Sequence, residues 1–407
     1  MNILFLSQEN PYPPDGGHYI RTYNILKMLS EKHNIFFIAI ANDDKRMKHK
    51  QGLEDLCESV DIFVIPQGKS KWRYIFSLIL NLFSPLPFTA QKNYIHDVKV
   101  KIKQLLKDNK IDLVHVDILP LAFYHKNFDR LPKILVNHNV ESLRLYRWMK
   151  VEKNTFIKLF LYYQFLKLRH FEKHICPKFE RCIVVSEPDQ KILEKLCKTT
   201  NFVILPNGVD IKYFSPLNNT KINKNSLIWT GGMRYAYSAD AVDYFLDEVL
   251  PLIRLEISDI KVSFVGSSPT SKLIKNAKDN PNIKVHGYVD DIRMYIQQAA
   301  VFIAPIRSGS GTKIKVLNAM ALEKAVVTTS IGAEGIKVKP DEDIMIADTP
   351  QEFAEKTIYL LRHPEEAKIM GSKGRAVIEK HYSWESIGMK MYKVYEEVSQ
   401  VNLVRHC

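Results

Sequence analysis

The sequence predicts an α/β protein made of two successive domains, each built around a parallel β-sheet. Its 407 residues leave room for two units of about 200 residues, a usual size for doubly wound α/β domains. Short apolar runs typical of buried strands alternate with longer amphipathic stretches typical of helices. The alternation is interrupted by the Pro- and Asn-containing segment 202–216, which we interpret as the connector between the domains.

The first domain begins with a β-α-β unit. NILFLS (2–7) is an apolar run, and the loop after it contains Gly16 and Gly17. An amphipathic stretch then leads to a second apolar run, NIFFIAIA (34–41). Such a connection pairs the two strands in parallel. Four further runs continue the pattern: 61–66, 111–117, 133–139 and 181–186.

The second domain repeats this alternation. Its strand-like runs are 226–232, 261–267, 283–288, 300–306 and 325–330. The sequence therefore predicts two Rossmann-like domains, 1–205 and 206–384, followed by a terminal helix, 385–407. Because ligands of open α/β sheets bind beyond the carboxyl ends of the strands, we expect the site in the cleft between the domains.

Composition excludes several classes of protein. With 46% hydrophobic residues, the chain can bury a large core, so a disordered protein is excluded. It has neither an apolar run long enough to cross a bilayer nor a signal peptide at its start, so we expect a cytoplasmic protein. The five cysteines are odd in number and lack metal-ligand spacing, which predicts free thiols.

Positive charge is concentrated in the first half of the chain. Residues 1–200 contain 32 Lys and Arg against 21 Asp and Glu, which gives +11 of the total net charge of +13. Such a basic half attracts polyanions, namely nucleic acid, an anionic membrane or a phosphorylated substrate. Because no nucleic-acid-binding motif is found, we do not expect nucleic acid as a partner.

The segment 307–336 carries the clearest chemical signal. SGSGT follows an apolar run and precedes an amphipathic run that starts at Ile314, which predicts its glycines at the start of a helix. Backbone N–H groups there can approach a phosphate, and the helix dipole favours its negative charge. Lys313, expected in the first helical turn, is unfavourable beside that dipole unless an anion lies next to it. An ordinary helix cap with a solvated lysine remains the alternative.

A series of motifs in fixed order covers nearly the whole chain. They are NPYPPDGGHYIRTYNILKMLSE, LVNHNVESLR, CIVVSEPDQKIL, LPNGVDIKYFSP, TGGMRYAYSADAVDYFLDEVLPLI, FVGSSP, the segment from HGYVDDIR to SIGAEGI, and HYSWESIGMKMYKVYEEV. Together they resemble the retaining GT-B glycosyltransferases of the group 1 or family 4 type, which include bacterial polysaccharide and lipopolysaccharide sugar transferases. The resemblance implies two Rossmann-like domains facing across a cleft, with the last helix crossing back to the first domain.

The resemblance also implies which residues act. The donor would be a nucleotide sugar held mainly by the second domain, and the acceptor a glycan or lipid-linked molecule bound by the first. The catalytic residues implied are His138, Arg234 and Lys313, with Lys315 a weaker candidate. The donor-binding residues implied are Gly16, Gly17, Gly232, Ser310, Gly311, Thr312, Asn318 and Glu334. Plain turns, a structural histidine and solvated surface cations are the alternatives.

Two positions depart from the family pattern. Many members carry two glutamates eight positions apart where this chain has Ser310 and Asn318. An asparagine can still bind a ribose hydroxyl, but without charge assistance the contact weakens by about 1 kcal/mol. The family needs no metal, and this sequence shows no acidic pair in a fitting context, so we expect neither a metal nor another cofactor. The acidic pair in 290–293 is interpreted as a surface helix cap.

Two stretches, 69–88 and 156–174, combine apolar and aromatic residues with Lys and Arg. We interpret each either as a core helix of the first domain or as a helix lying in a membrane interface. The basic first half favours contact with an anionic membrane, which implies a peripheral protein on the inner face of the cytoplasmic membrane.

The sequence thus predicts a metal-independent retaining glycosyltransferase of cell-surface polysaccharide synthesis. Two alternatives remain: a nucleotide-sugar epimerase or hydrolase of the same fold, and a non-catalytic binding subunit. Asn318 is the reason for the second.

Overall fold

The computed structural model describes residues 1–14, 16–42, 45–65, 71–217, 220–233, 236–309 and 311–405. The chain divides into two compact units. Unit 1 comprises Met1–Pro206 and Gly388–Cys407, and unit 2 comprises Asn207–Ile387.

Unit 1 is built on a seven-stranded parallel sheet. Its strands are β1 (Asn2–Ser7), β2 (Asn34–Ala41), β3 (Ser59–Val64), β4 (Leu113–Val116), β5 (Lys133–Asn137), β6 (Arg181–Val184) and β7 (Phe202–Ile204). They lie in the order β3-β2-β1-β4-β5-β6-β7. The chain order reverses between β1 and β4, so the loops after these two strands border the crevice where open α/β sheets bind ligands.

The core of unit 1 covers both faces of this sheet. Ile3 and Phe5 of β1 belong to one buried cluster, whereas Leu4 and Leu6 belong to another. Successive side chains of a strand point to opposite faces, and a parallel sheet is buried on both. This is why β1 and β2 are apolar along nearly their whole length.

Helices connect these strands. They are α1 (Gly17–Ser30), α2 (Gln51–Glu54), α3 (Lys71–Leu82), α4 (Phe88–Gln91), α5 (His96–Asp108), α6 (Glu141–Val151), α7 (Thr155–Ile175) and α8 (Glu187–Leu196). Short 3₁₀ turns occupy Met47–His49, Leu119–Asn127 and Cys176–Lys178. The start of α7 is fixed by Asn154, whose side chain accepts hydrogen bonds from the backbone N–H groups of Phe156 and Ile157, a strong N-cap.

Unit 2 repeats the architecture with six parallel strands. They are β8 (Ser226–Thr230), β9 (Lys261–Val265), β10 (Ile283–Gly287), β11 (Val301–Ala304), β12 (Val326–Thr328) and β13 (Met345–Ile346). The order is β10-β9-β8-β11-β12-β13. Here the reversal lies between β8 and β11, so the loops after those strands take the corresponding position.

The helices of unit 2 are α9 (Ala236–Tyr244), α10 (Leu250–Glu256), α11 (Ser271–Asp279), α12 (Arg293–Gln298), α13 (Ile314–Ala321), α14 (Pro350–Arg362) and α15 (Pro364–Tyr382). A π-helical turn, Phe245–Val249, joins α9 to α10. The last helix, α16 (Trp384–Arg405), starts in unit 2 and belongs to unit 1 from Gly388 onwards.

The apolar residues of α16 lie in two different surroundings. Met391, Val394 and Tyr395 are buried in the unit 1 cluster that also contains Phe5. Trp384, within unit 2, packs so closely on Gly208 that a Cβ there would lie 2.4 Å from the indole. The helix therefore contributes core residues to unit 1 although its first turn belongs to unit 2.

The predicted fold class, two Rossmann-like parallel sheets, is confirmed. The proposed connector was too long at its start, because residues 202–204 form the edge strand β7. Strand β13 was missed, since two residues give no readable pattern. The acidic pair lies at the start of α12 as expected: Ile292 occupies the N-cap position, but Asp291 accepts a hydrogen bond from the backbone N–H of Arg293 at 2.9 Å. Asp291 also pairs with the guanidinium of Arg293 at 2.7 Å.

Two features bear on the cell compartment. Within the described part of the chain, no helix is long and apolar enough to cross a membrane. Cys57, Cys176, Cys182 and Cys197 are all free thiols, as the sequence predicts.

Candidate active site

Glycine-containing loops follow five strands of unit 2 at their carboxyl ends. The glycines are Gly231 after β8, Gly266 after β9, Gly287 at the end of β10, Gly309 and Gly311 after β11, and Gly332 after β12. Since the carboxyl ends of parallel strands meet at one edge of a sheet, these loops form a single backbone-lined surface.

Close backbone approach explains the glycines after β8 and β9. A Cβ at Gly266 would lie 2.0 Å from the Gly231 carbonyl oxygen, and both residues have positive φ angles, 150° and 131°. A side chain at Gly266 would displace the Gly231 loop, and one at Gly231 would meet the ammonium group of Lys315. Gly232, expected to bind the donor, lies beside them, and a Cβ there would be 3.3 Å from the Ser267 hydroxyl oxygen.

The loop after β11 contains part of the predicted phosphate site. Gly309 and Gly311 have φ angles of 116° and 72°, which favour glycine. Thr312 is only 7% exposed, and its hydroxyl oxygen has no hydrogen-bond partner in the structure. A buried hydroxyl without a partner is costly and is commonly explained by a ligand or a water molecule.

Lys313 lies one position earlier than expected. It is the N-cap residue of α13, not a residue of the first turn. Its ammonium group donates a hydrogen bond of 2.6 Å to the Gly311 carbonyl. The cation is therefore held beside the SGSGT loop, at the positive end of the helix dipole.

Lys315 is the more unusual cation of this loop. Its Nζ lies 3.9 Å from the centre of the Trp229 ring and 2.6 Å from where a Cβ of Gly231 would be. Burial, and then repulsion by Lys313, lowers the pKa of Lys315 to about 7. Its ammonium group makes no ion pair with any carboxylate in the described ranges. A bound anion would therefore stabilise the charged form of Lys315.

Arg307, in the loop after β11, differs from Lys315 because it pairs with carboxylates of the protein. It forms a 2.7 Å ion pair with Asp240, a second with Glu248 at 3.5 Å, and stacks on Tyr244. Its charge is thus compensated within the protein. Lys315 differs from Arg307 in this respect, because no carboxylate of the described residues pairs with it.

The remaining predicted residues of unit 2 differ in how clearly they are placed. Asn318 is 7% exposed within α13, and its side-chain amide has no recorded partner among the residues described. Glu334 follows β12 and is partly buried. Arg234 and Ser310 lie outside the described residues, so their predicted roles stay predictions.

In unit 1, the predicted glycine loop begins a helix beside the crevice. Gly17 is the first residue of α1 and Gly16 is its N-cap, with a carbonyl that accepts the Ile20 N–H at 2.9 Å. A Cβ at Gly16 would be 3.1 Å from the Tyr19 ring. This loop follows β1, one of the two strands at which the sheet order reverses.

His138 follows β5 and is bound to a buried carboxylate. Its Nε2 lies 3.4 Å from Oδ1 of Asp117, and His115 Nε2 lies 3.4 Å from the same oxygen. Because an ionised carboxylate only accepts, both Nε2 atoms are assigned as donors. Burial alone would raise the pKa of Asp117, but the charge of His138 and hydrogen bonds from both histidines hold it well below its usual value.

The other oxygen of Asp117 is also bound. The Thr22 hydroxyl donates to it at 2.6 Å, and the Ser7 hydroxyl lies 3.5 Å away. His115, which contacts Asp117 through Nε2, pairs through its Nδ1 with the Tyr395 hydroxyl of α16. Both oxygens of the Asp117 carboxylate thus accept hydrogen bonds from neighbouring side chains, and the carboxylate in turn orients the ring of His138.

Asn137, beside His138, is a further residue that sequence reasoning missed. It is 2% exposed, and both its amide nitrogen and its amide oxygen lack a hydrogen-bond partner in the structure. Its position at the carboxyl end of β5 is a signal visible in the sequence. The same holds for Asp117, which directly follows β4.

Comparisons with known protein families agree with this geometry. Residues 16–213 match the model of glycosyltransferase family 4, and residues 224–363 match the model of group 1 glycosyl transferases. The chain belongs to the group 1 glycosyltransferases. It is therefore a sugar-transferring enzyme, as the motifs predict.

Relatives of the transferase span its whole length. A 44.6 kDa protein of the cps region of Klebsiella pneumoniae is 22% identical over 96% of this chain and 99% of its own. Sucrose-phosphate synthase from Thermosynechococcus elongatus matches 98% of this chain and 99% of its own, with a TM-score of 0.69 and 14% identity. HepE of Anabaena, solved in complex with UDP, matches 98% of this chain and all of its own, with a TM-score of 0.65 and 14% identity. These structural neighbours establish the GT-B fold.

We expect Asn318→Glu to tighten the binding of a nucleoside diphosphate by the transferase about fivefold. A carboxylate strengthens a hydrogen bond to a ribose hydroxyl relative to a neutral amide. Isothermal titration of both proteins with UDP measures the change. Weaker binding by the glutamate variant would show that Asn318 fits another group.

Proposed function

We propose that this glycosyltransferase moves a sugar, with retention of configuration, from a nucleoside-diphosphate sugar to a glycan or lipid-linked acceptor in cell-surface polysaccharide assembly. The observation that carries the proposal is that Lys315, beside Lys313 at the start of α13, pairs with no carboxylate of the described residues. The partnerless hydroxyl of buried Thr312 supports it, because it lies in the same loop.

This arrangement suits the departure of a nucleoside diphosphate. When the bond between sugar and diphosphate breaks, negative charge grows on the β-phosphate. Fixed cations and backbone N–H groups aimed at that position lower the barrier, since they need no reorganisation during the reaction. We propose that Lys313 and Lys315 fill this role and that Arg234 assists them.

In unit 1, we propose that His138 contributes to sugar transfer and that Asp117 is its positioning residue. The Asp117 carboxylate fixes the ring through Nε2 at 3.4 Å, which leaves Nδ1 for the reacting sugar. Transfer without a bound metal stays a prediction.

The relatives support the choice of substrate class. HepE was solved with UDP, so UDP is the first nucleotide to test. The relative from the cps region supports a role in polysaccharide assembly, and assembly at the cytoplasmic face of the membrane remains our proposal for where the enzyme works.

A thermal-shift screen with UDP, GDP, ADP and their sugars tests the donor assignment. A ligand that binds only the native state raises the melting temperature, by an amount that grows with its concentration. We expect one nucleotide to raise Tm in the wild type and to lose most of that effect in Lys315→Met. The exposed Lys278→Met variant is the matched control and should respond normally. No shift with any nucleotide would contradict the proposal.

Product analysis separates the alternatives. An epimerase or hydrolase would release epimer or free sugar from the donor without an acceptor. A non-catalytic subunit would bind the nucleotide but never consume the donor.

We also propose that unit 1 docks on an anionic membrane through α3 and α7. Trp72 and Phe76 of α3 are 80% and 61% exposed, and Phe156 and Leu159 of α7 are 86% and 67% exposed. The opposite face of α7 is core, so the core-helix interpretation describes that face only. Solvated aromatic residues beside basic ones are typical of interfacial helices.

The two helices are held together, which makes their exposed faces one surface. The Tyr163 hydroxyl donates to the Leu82 carbonyl at 2.7 Å, and the Gln164 amide donates to Asn81 at 2.7 Å. Lys69 lies outside the described residues, so its expected part in docking stays a prediction. The cation that best supports an anionic partner is Lys158, exposed on α7 between Phe156 and Leu159.

We expect the double variant Trp72→Ser, Phe76→Ser to bind anionic vesicles about 100-fold more weakly. Burying a large apolar side chain contributes about 1.5–3 kcal/mol, and two are lost. Co-sedimentation with phosphatidylserine vesicles at low and high salt measures the change, since salt screens the electrostatic part. Tyr288→Ser, an equally exposed site in unit 2, is the control. Unchanged binding would exclude this face as the docking surface.

A further inference from the structure

Unit 1 contains a second basic feature, a groove of about 640 Å³ between the end of α7 and the end of α8. Arg169, Lys173, Lys195 and Lys198 line it, together with His170. None of its lining residues, all within the described chain, is acidic. The groove therefore concentrates four permanent positive charges.

In the described part of the chain, no carboxylate forms an ion pair with these charges. Among the ion pairs and side-chain hydrogen bonds of the described residues, none includes the ammonium or guanidinium groups of Arg169, Lys173, Lys195 or Lys198. A concave surface lined by charges of one sign focuses the field and attracts a counter-ion. Lysine and arginine are common ligands of phosphate groups in proteins.

The groove is remote from the candidate active site. Helix α7 leads into the start of β6, and α8 returns from the end of β6 towards the same edge. The groove therefore lies at the amino edge of the unit 1 sheet. His138 follows β5 and lies at the carboxyl edge. The anion that fills the groove is thus a different group from the donor diphosphate.

The exposed face of α7 is apolar up to Leu166 and basic after it. Leu159, Tyr162 and Leu166 are 67%, 46% and 45% exposed, and Arg169 and Lys173 continue the same face because the spacing is three or four residues. The exposed face of α7 thus has an apolar half, which contains Leu159, Tyr162 and Leu166, and a basic half that lines the groove. A ligand with hydrocarbon chains and a phosphate matches both halves, whereas a soluble phosphate matches only one.

We propose that the groove binds the phosphate of an anionic lipid headgroup, whose chains lie along the apolar half of α7. The inference rests on the membrane docking proposed above and names the lipid group that is recognised. Basic pockets beside membrane-facing helices bind lipid headgroups in this way. The contact would also fix which face of unit 1 meets the bilayer.

Titration of the full chain with dihexanoyl phosphatidic acid, below its micelle concentration and with UDP at saturation, tests the site. We expect binding that falls tenfold or more in the double variant Lys173→Gln, Lys198→Gln. The variant Lys178→Gln, Lys191→Gln removes the same charge nearby but outside the groove, and it should bind as the wild type does. Dihexanoyl phosphatidylcholine should bind at least tenfold more weakly, because its headgroup carries no net charge.

Two results would overturn the proposal. If pyrophosphate binds as tightly as the short-chain lipid, the groove serves a soluble phosphate. If the Lys173, Lys198 variant binds phosphatidic acid normally, the groove is not the site. Failure of vesicle docking is separate: in the Trp72, Phe76 variant, short-chain lipid binding should persist while vesicle binding is lost.

Discussion

Replacing both Lys313 and Lys315 by methionine is expected to lower kcat/KM of the transferase about 10³-fold or more. Removing one preorganised charge stabiliser commonly costs 10²–10³-fold in rate, and we propose that both lysines act on the same developing charge. Methionine keeps the apolar stem, so the contact of residue 315 with Trp229 is retained. Steady-state kinetics with the donor found in the thermal screen measure the loss.

Lys278→Met with Lys337→Met removes the same charge from exposed positions of unit 2 and should leave the rate nearly unchanged. A Tm close to that of the wild type would show that the active-site variant is folded. Near-normal turnover by that variant would remove the diphosphate assignment.

The pKa of Lys315 gives this site a pH signature. Because its pKa is about 7 in the free protein, Lys315 is charged below neutral pH and loses its proton above it. A bound diphosphate favours the charged form, so affinity for UDP should fall as pH rises above 7, by up to tenfold per unit. The terminal phosphate, with a second pKa of about 6, is already ionised there. Isothermal titration from pH 7 to 9 should show the fall in the wild type and a flat profile in Lys315→Met.

Asp117→Asn is expected to lower kcat about 10²-fold while changing KM little. The amide is isosteric, so the pocket stays filled, but it carries no charge and can turn an N–H group toward His138 Nε2. A catalytic group displaced by about 1 Å can lose 10²-fold in rate. Single-turnover and steady-state kinetics separate the effect on kcat from that on binding.

A merely structural role for Asp117 would give a different pattern. The variant would then lose stability and donor binding together, with the remaining folded fraction fully active. His115→Gln is the companion variant: it keeps a donor to Asp117 and should retain more activity than Asp117→Asn. Equal losses in both would contradict the role of the carboxylate in fixing His138.

The fold was predictable because its signals are local. Strands β1 and β2 are buried on both faces, so their sequences are continuous apolar runs, and Gly16 and Gly17 mark the helix start between them. Short edge strands lack this signal: β7 has three residues and was read as part of a connector. Helix ends are also poorly determined by pattern, which is why Lys313 was placed one position too far into α13.

The site was predictable only in part. Lys313 and His138 belong to recognisable motifs, and the structure places Lys313 at the start of α13 and His138 directly after β5. The roles of Lys315 and Asp117 depend on contacts between distant segments: Lys315 lies over Trp229 of β8, and Asp117 binds Thr22 of α1. Hydrophobic periodicity does not predict such contacts, because they form only when the strands assemble into a sheet and their carboxyl ends come to lie side by side.

The pairing of Tyr395 with His115 ties the end of the chain to the interior of unit 1. Among relatives, we expect these two positions to change together. A substitution at only one of them would leave a buried polar atom of the other without its hydrogen-bond partner. A chain cut after residue 390 would keep the loops of the candidate site but would lose the Tyr395 hydroxyl that pairs with His115. We therefore expect the part of α16 that contains Tyr395 to be needed for the orientation of His115 and, through Asp117, of His138.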